Sequence, residues 1–236
     1  MSAQIDLIFV PQGAEYRSIC QGLKAAGPKT VAVVPIPVGP YGVTQFLQRW
    51  LRQAAPYWQT PPRALLMGLC GSLTDKLSVG DAVLCQTCID GTKALDVPLR
   101  CDPFITLSLA QRLPETVRSV TGVTCDRIIH TVAAKQQLAQ TYQADVVDME
   151  GFALLTSLQP LRIPLGIVRV VSDDARYDLP DLNAALSEEG VLQTFPLAMG
   201  MLRQPMPALR LIGGSLQGLK RLKQATTQIF ASGDCR

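Results

Sequence analysis

The run Ile163-Pro-Leu-Gly-Ile-Val-Arg-Val-Val171 is apolar apart from Gly166 and Arg169. A strand this apolar must be covered on both faces, so helices are required above and below the sheet that holds it. The run ends in Ser172-Asp-Asp174. A second apolar stretch, Val146–Met149, ends at Glu150. A carboxylate at the end of a buried strand costs several kcal/mol if left unpaired. The cost is tolerable where the group faces a ligand or a cleft. Glu150 and Asp173, so close together in the chain, predict a site that grips hydroxyls and moves a proton.

The rest of the chain alternates between strand and helix patterns. Ile5–Val10 reads as a strand, and residues 15–26 as a helix with Ile19, Leu23 and Ala26 on one face. Val31–Val38 is β-branched but contains Pro35 and Pro37, which suits a sheet edge. Gly42–Ala55 has helical spacing. Ala64–Gly68 is a short buried strand entering a glycine-rich turn, and Val83–Cys85 and Cys88–Ile89 are strand pieces. Residues 105–120, 131–141 and 181–202 are expected to be helical, and Gly151–Leu158 starts another helix. This alternation predicts an α/β three-layer domain.

With 47% hydrophobic and 17% charged residues, a chain of 236 residues can bury a sizeable core and is not disordered. The net charge of +3 is too small to imply nucleic acid. It is unevenly placed. Residues 203–236 hold six basic side chains and one acidic one, so the remainder is about −2 by subtraction from +3. Gln204-Pro-Met-Pro207 separates a body, residues 1–204, from a tail, residues 205–236. In the tail Leu209, Ile212, Leu216, Leu219 and Leu222 follow helical spacing, with Arg210, Lys220, Arg221 and Lys223 interleaved. The tail either packs on the body as a terminal helix or meets a membrane surface as a basic amphipathic one. Gly213 and Gly214 would each weaken that helix by ~1 kcal/mol relative to alanine.

The seven cysteines are an odd number, and Met1–Asp6 lacks a basic stretch leading into an apolar one. Free thiols in a reducing cytoplasm are expected. No apolar run approaches the ~18 residues that span a bilayer. Cys85-Gln-Thr-Cys88 stands alone, and His130 is the single histidine, so no metal is expected.

Three segments occur in order: Gly68-Leu-Cys-Gly-Ser-Leu-Thr-Asp-Lys-Leu-Ser-Val-Gly-Asp81, Val147-Asp-Met-Glu-Gly151 and Val171-Ser-Asp-Asp-Ala175. Together they resemble the purine nucleoside phosphorylase and methylthioadenosine/S-adenosylhomocysteine nucleosidase superfamily over roughly residues 5–200. The resemblance implies a three-layer sandwich with a central mixed β-sheet flanked by helices. It also implies cleavage of the N-ribosidic bond of a purine nucleoside, with no cofactor, in a homodimer. Breaking that bond leaves an oxocarbenium-like sugar and an anionic base, which must be protonated as it leaves. Asp173 matches the family's aspartate for this step, and a carboxyl at a buried strand end can hold a proton near neutrality. Glu150 matches the ribose-binding glutamate, since a carboxylate accepts from two vicinal hydroxyls. Met149 matches the methionine against the sugar face. Glu15 stands where the nucleosidase branch carries the glutamate that activates water. Ser172, Gly71 and Cys70 are expected to line the pocket, with Ile128 on the base side.

The chain also departs from the family pattern. Phosphorylases of the superfamily carry an arginine before, and a serine after, the glycine equivalent to Gly68. Leu66-Met67 and Leu69 stand there instead. The loss of anion donors favours water over phosphate as nucleophile. Thr124-Cys-Asp-Arg-Ile128 replaces a stretch that ends in a stacking aromatic, and a guanidinium can stack in its place. Adenine is the favoured base. The ending, from Asp178-Leu-Pro-Asp through the basic tail, is similar to the hopanoid-associated phosphorylase branch, which implies an adenosyl lipid as the alternative substrate. A non-catalytic nucleoside-binding protein is the reading from another class.

Overall fold

The computed structural model describes residues 3–27, 30–93, 97–183 and 204–231. The described strands are β1 (Leu7–Pro11), β2 (Ala32–Ile36), β3 (Ala64–Ser72), β4 (Ala82–Asp90), β5 (Leu99–Arg100), β6 (Arg118–Thr124), β7 (Val146–Asp148) and β8 (Leu165–Asp173). The α-helices are α1 (Ala14–Ala25), α2 (Pro40–Ala54), α3 (Pro103–Arg112), α4 (Val132–Tyr142), α5 (Gly151–Leu158) and α6 (Pro205–Phe230).

The sheet is mixed. Its path runs β2-β1-β3-β7-β6-β4-β5, and β8 pairs with both β3 and β4. That double pairing closes β3, β8, β4, β6 and β7 into a ring, from which β2 and β1 extend on one side. β8 lies parallel to β3 along its whole length and antiparallel to β4. It is therefore flanked by strands on both edges and covered on both faces, as its apolar run requires.

Side-chain alternation divides the core. Leu7 and Phe9 of β1 join Leu66, Ile167, α2 and α5 on one face, whereas Ile8 and Val10 join Leu65, Met67, Val168, α1 and α6 on the other. This is the three-layer arrangement expected. Among the described strands β2 pairs with β1 alone, so Pro35 sits on an edge strand and Pro37 follows its end.

Several local expectations are corrected. The glycine-rich stretch after Gly68 continues β3 to Ser72, with a register shift against β8 between Cys70 and Gly71. The two strand pieces around Gln86 form one strand, β4. Helix α3 stops at Arg112 before Pro114, and the β-branched residues of Arg118–Thr124 form a strand rather than extending the helix to 120. The helix expected over 181–202 falls almost wholly outside the described residues.

The first half of the tail stays largely at the surface, but the second half does not. Leu222, Ala225, Ile229 and Phe230 are buried against α1 and the sheet. Gly214 has a reason beyond helix propensity. A Cβ there would run into the backbone oxygen of Ser172, so glycine lets α6 lie directly on the end of β8. Arg210 stacks over Tyr177, 4.1 Å from its ring centroid, and joins α6 to the segment after β8.

Candidate active site

The carboxyl ends of β3, β7 and β8, the start of α1 and the first half of α6 enclose a cavity of about 480 Å³. All eight residues singled out from the sequence line it: Glu15, Cys70, Gly71, Ile128, Met149, Glu150, Ser172 and Asp173. Those residues come from five separate parts of the chain.

At the floor lies Arg169, fully buried in the middle of β8. Its Nε and Nη2 donate to Asp148 Oδ2 at 3.0 and 2.5 Å, and Nη2 also donates to Glu150 Oε2 at 3.0 Å. The other oxygen of Glu150 accepts the Gly39 N–H at 3.3 Å. Glu150 stands at the N-cap of α5, yet its side chain does no capping. Asp148 takes that task by accepting the Gly151 N–H at 3.1 Å, and Thr124 Oγ1 donates to it at 2.6 Å. Glu150 is thereby left to face the cavity. Met149 packs beside it, its Cε near Gly39.

Glu15, in the first turn of α1, accepts the Leu69 N–H at 2.6 Å. Glu15 and Arg169 converge over Gly68. A Cβ on Gly68 would lie 2.8 Å from Glu15 Oε1 and closer still to Arg169 Nη1. Hence glycine stands there: its missing side chain is the space into which a carboxylate and a guanidinium reach. Burial, and next the charge of Glu150, push the Glu15 carboxyl up to about 7, against the pull of the Leu69 N–H and Arg169. Glu150 is also pushed up by burial, with Arg169 opposing. Burial alone would lower the Arg169 pKa, but Asp148, Glu150 and Glu15 reverse it and hold the guanidinium charged.

Asp173 ends β8. Its Oδ1 accepts the Ser172 hydroxyl at 3.0 Å, and its Oδ2 accepts Lys135 Nζ at 2.5 Å. Burial pushes its pKa up, and Lys135 pulls the other way without cancelling the rise. The same Ser172 hydroxyl, with its single hydrogen shared, also lies 3.2 Å from the Cys70 carbonyl, beside the point where the register of β8 against β3 shifts. Burial pushes the Cys70 thiol well up, so it is no nucleophile.

Ile128 lines the cavity, but both its backbone polar groups are engaged. Asn183 Oδ1 accepts the Ile128 N–H at 2.8 Å, and Asn183 Nδ2 donates to the Ile128 carbonyl at 3.1 Å. On the α6 side the lining is apolar, with Leu211, Ile212 and Leu216 facing Leu179 and Leu182.

Three residues of this network, Arg169, Asp148 and Lys135, were not picked out from the sequence. Arg169 had a signal, being the one charge inside an apolar strand. Lys135 had none, because a lysine in an amphipathic helix ordinarily faces water. Among the described residues no group of three or more metal-ligating side chains comes together.

Fold and site together define an enzyme of N-glycosidic bonds. The phosphorylase superfamily model matches residues 15–194, and the chain belongs to that superfamily. Solved structures agree with the fold. Futalosine hydrolase from Helicobacter pylori superposes with a TM-score of 0.69 at 15% identity, covering 96% of this chain and 97% of that one. The 5'-methylthioadenosine/S-adenosylhomocysteine nucleosidase of S. pneumoniae, bound to a transition-state inhibitor, gives 0.69 at 12% identity and covers 98% and 100%. The corresponding Helicobacter pylori nucleosidase gives 0.63 at 16%, covering 94% and 98%. No curated relative matches by sequence. Among the described residues no helix is long and apolar enough to cross a membrane.

Proposed function

We propose that this enzyme hydrolyses the N-ribosidic bond of a purine nucleoside, with adenine as the base. The observation that carries the reading is the charge balance of the cavity floor. Three carboxylates, Glu15, Asp148 and Glu150, surround one guanidinium, and the two buried cations, Arg169 and Lys135, are each tied to a carboxylate. A floor of this sign repels phosphate and suits water and hydroxyls.

The roles follow from position. Glu150 accepts from the ribose diol. Glu15, whose pKa of about 7 suits a base near neutrality, takes a proton from water as the water oxygen bonds to C1′. Asp173 gives a proton to N7 as the C1′–N9 bond breaks. The electrons of that bond leave with the base, and the two transfers balance the reaction. Asp173→Asn is expected to lower turnover by ~10²–10⁴.

The α6 side of the cavity favours a second feature, an apolar substituent at the 5′ carbon. Ile212 and Leu216 line the cavity, and Met206 and Leu209 carry the exposed apolar stripe onward along the helix. An adenosyl lipid is the extreme of this class. Ile212→Ser with Leu216→Ser should lower kcat/KM for 5′-alkylthioadenosines and leave adenosine untouched. Equal losses on both would remove the apolar subsite. A homodimer, implied by the family resemblance, belongs to this proposal and is dropped if sizing at micromolar concentration gives a monomer.

The deciding experiment is incubation with methylthioadenosine, following free adenine with and without phosphate. Release in phosphate-free buffer with free methylthioribose supports hydrolysis. Release only with phosphate overturns the choice of water. No release from any adenine nucleoside, with tight binding retained, would mean a binding protein.

A further inference from the structure

We propose that Lys135 is a positioning residue for Asp173, holding its carboxylate in place at the end of β8 and setting the pH range over which it delivers a proton to the leaving base. This rests on the functional reading above.

Lys135 is fully buried, and it is the one lysine among the described residues that is. Its Nζ meets Asp173 Oδ2 at 2.5 Å and donates to the Asp174 carbonyl at 2.6 Å. Those two bonds fasten it to both sides of the strand end. A buried lysine is poor design for stability alone, since a well-packed apolar side chain of similar volume commonly does as well or better. Its place in the helix is also unfavourable. It lies in the first turn and a half of α4, after the Thr131 cap, where the helix dipole disfavours a cation. Neither burial nor helix position accounts for an ammonium here, whereas the carboxylate beside it does.

The surroundings of Asp173 leave Lys135 as the dominant charge. Asp174 follows it in the chain and disfavours its ionised form. Cys70 approaches from β3 as a buried thiol. α6 brings Gly214 and Gly218, which carry no charge, against Ser172. The Ser172 hydroxyl holds the other oxygen. With an ammonium on one oxygen and a hydroxyl on the other, the carboxyl plane is fixed from both edges.

The sign of the effect follows. Burial favours the protonated acid and Lys135 opposes it. Removing the ammonium leaves burial opposed only by the Ser172 hydroxyl, so Asp173 keeps its proton to higher pH. A general acid is active while protonated, so the alkaline limb of kcat/KM should move upward.

The test uses the full chain carrying Lys135→Met, with Lys135→Arg as the charge-preserving control. Lys135→Met should shift the alkaline limb up by about one unit or more and lower kcat by ~10-fold or more as the carboxyl loses its anchor. Lys135→Arg should keep the limb where the unchanged protein has it. A Lys135→Met profile that overlays the original, whatever the drop in rate, overturns the proposal and leaves Lys135 a packing residue. A second measurement needs no turnover. The carboxylic-acid stretch of Asp173, isolated by infrared difference against Asp173→Asn, should persist to higher pH in Lys135→Met, and an unchanged titration overturns the proposal equally. If the infrared titration moves but no nucleoside releases its base, the functional reading fails while the Lys135–Asp173 coupling stands. If Lys135→Met does not fold, Lys135→Gln carries both measurements.

Discussion

Arg169→Met removes the cation between Asp148 and Glu150 while keeping a long apolar stem in the strand. Little cavity opens, so the main loss is electrostatic. Asp148 is 7% and Glu150 4% exposed, so water cannot replace the guanidinium. Removing one partner of a buried ion pair costs about 3–5 kcal/mol. At roughly 2–4 °C per kcal/mol for a domain of this size, Tm should fall by about 6–20 °C near neutrality. The loss should depend on pH with a definite sign. Burial already pushes the Glu150 carboxyl up, and Arg169 pulls it back. Without that pull the folded pKa rises further above the unfolded one. A carboxyl raised in the folded state makes the native protein bind more protons than the unfolded chain, so stability is lost as pH rises through that window. The gap in Tm between the two proteins should therefore widen as pH rises above the usual carboxylate range. Thermal unfolding followed by circular dichroism in matched buffers measures it. Parallel curves, or a gap worth less than about 1 kcal/mol, would refute the reasoning, because they would mean that the two carboxylates tolerate burial without a counter-charge.

Glu15→Gln should lower kcat by ~10²–10⁴ and abolish the acid limb of kcat/KM, which in the unchanged protein should lie near pH 7, where Glu15 loses its proton; an acid limb that survives the substitution assigns it to another group. Gly68→Ala places a methyl against Glu15 Oε1 and Arg169 Nη1, so it should destabilise by about 1–3 kcal/mol and, by displacing Glu15, cut turnover by ~10²-fold, and unaltered kinetics would show that the two groups do not need that space. Gly214→Ala sets helix propensity against contact: alanine gains ~1 kcal/mol in a helix interior, yet its Cβ meets the Ser172 carbonyl, so Tm should fall, and a rise would show that α6 does not lie that close to β8.

The layers were legible because burial on two faces leaves a plain mark. The apolar run at 163–171 required covering helices, and the prolines at 35, within β2, and 37, just past it, pointed to an edge. Two boundaries failed for identifiable reasons. Glycines at 68 and 71 read as a turn by local conformational freedom, but they serve close approach inside a strand, where Asp173 Oδ2 would lie 2.8 Å from a Cβ on Gly71. Residues 113–117 carry helix-compatible side chains, and only Pro114 marks the break before β6.

Glu150 and Asp173 were legible as site acids whereas their pairing with Arg169 and Lys135 was not, and the asymmetry has a physical origin. A carboxylate at the end of an apolar run stands out, because the run itself explains why the charge is costly. Its counter-charge need not be near in sequence. Arg169 reaches Glu150 across 19 residues and Lys135 reaches Asp173 across 38, and each junction exists only because β8 closes the ring between β3 and β4 while α4 packs beside its end. Arg169 sits inside the very run that predicts the sheet, where a charge on a strand buried on both faces demands a partner. By the same rule Glu150 and Asp173 each required a cation. One stood in the strand between them, and the other lay in a helix whose pattern hid it. The ring therefore does two tasks at once: it buries the apolar run, and it brings to one wall of a cavity Glu15, Glu150 and Asp173, each with a donor or counter-charge supplied from elsewhere in the chain.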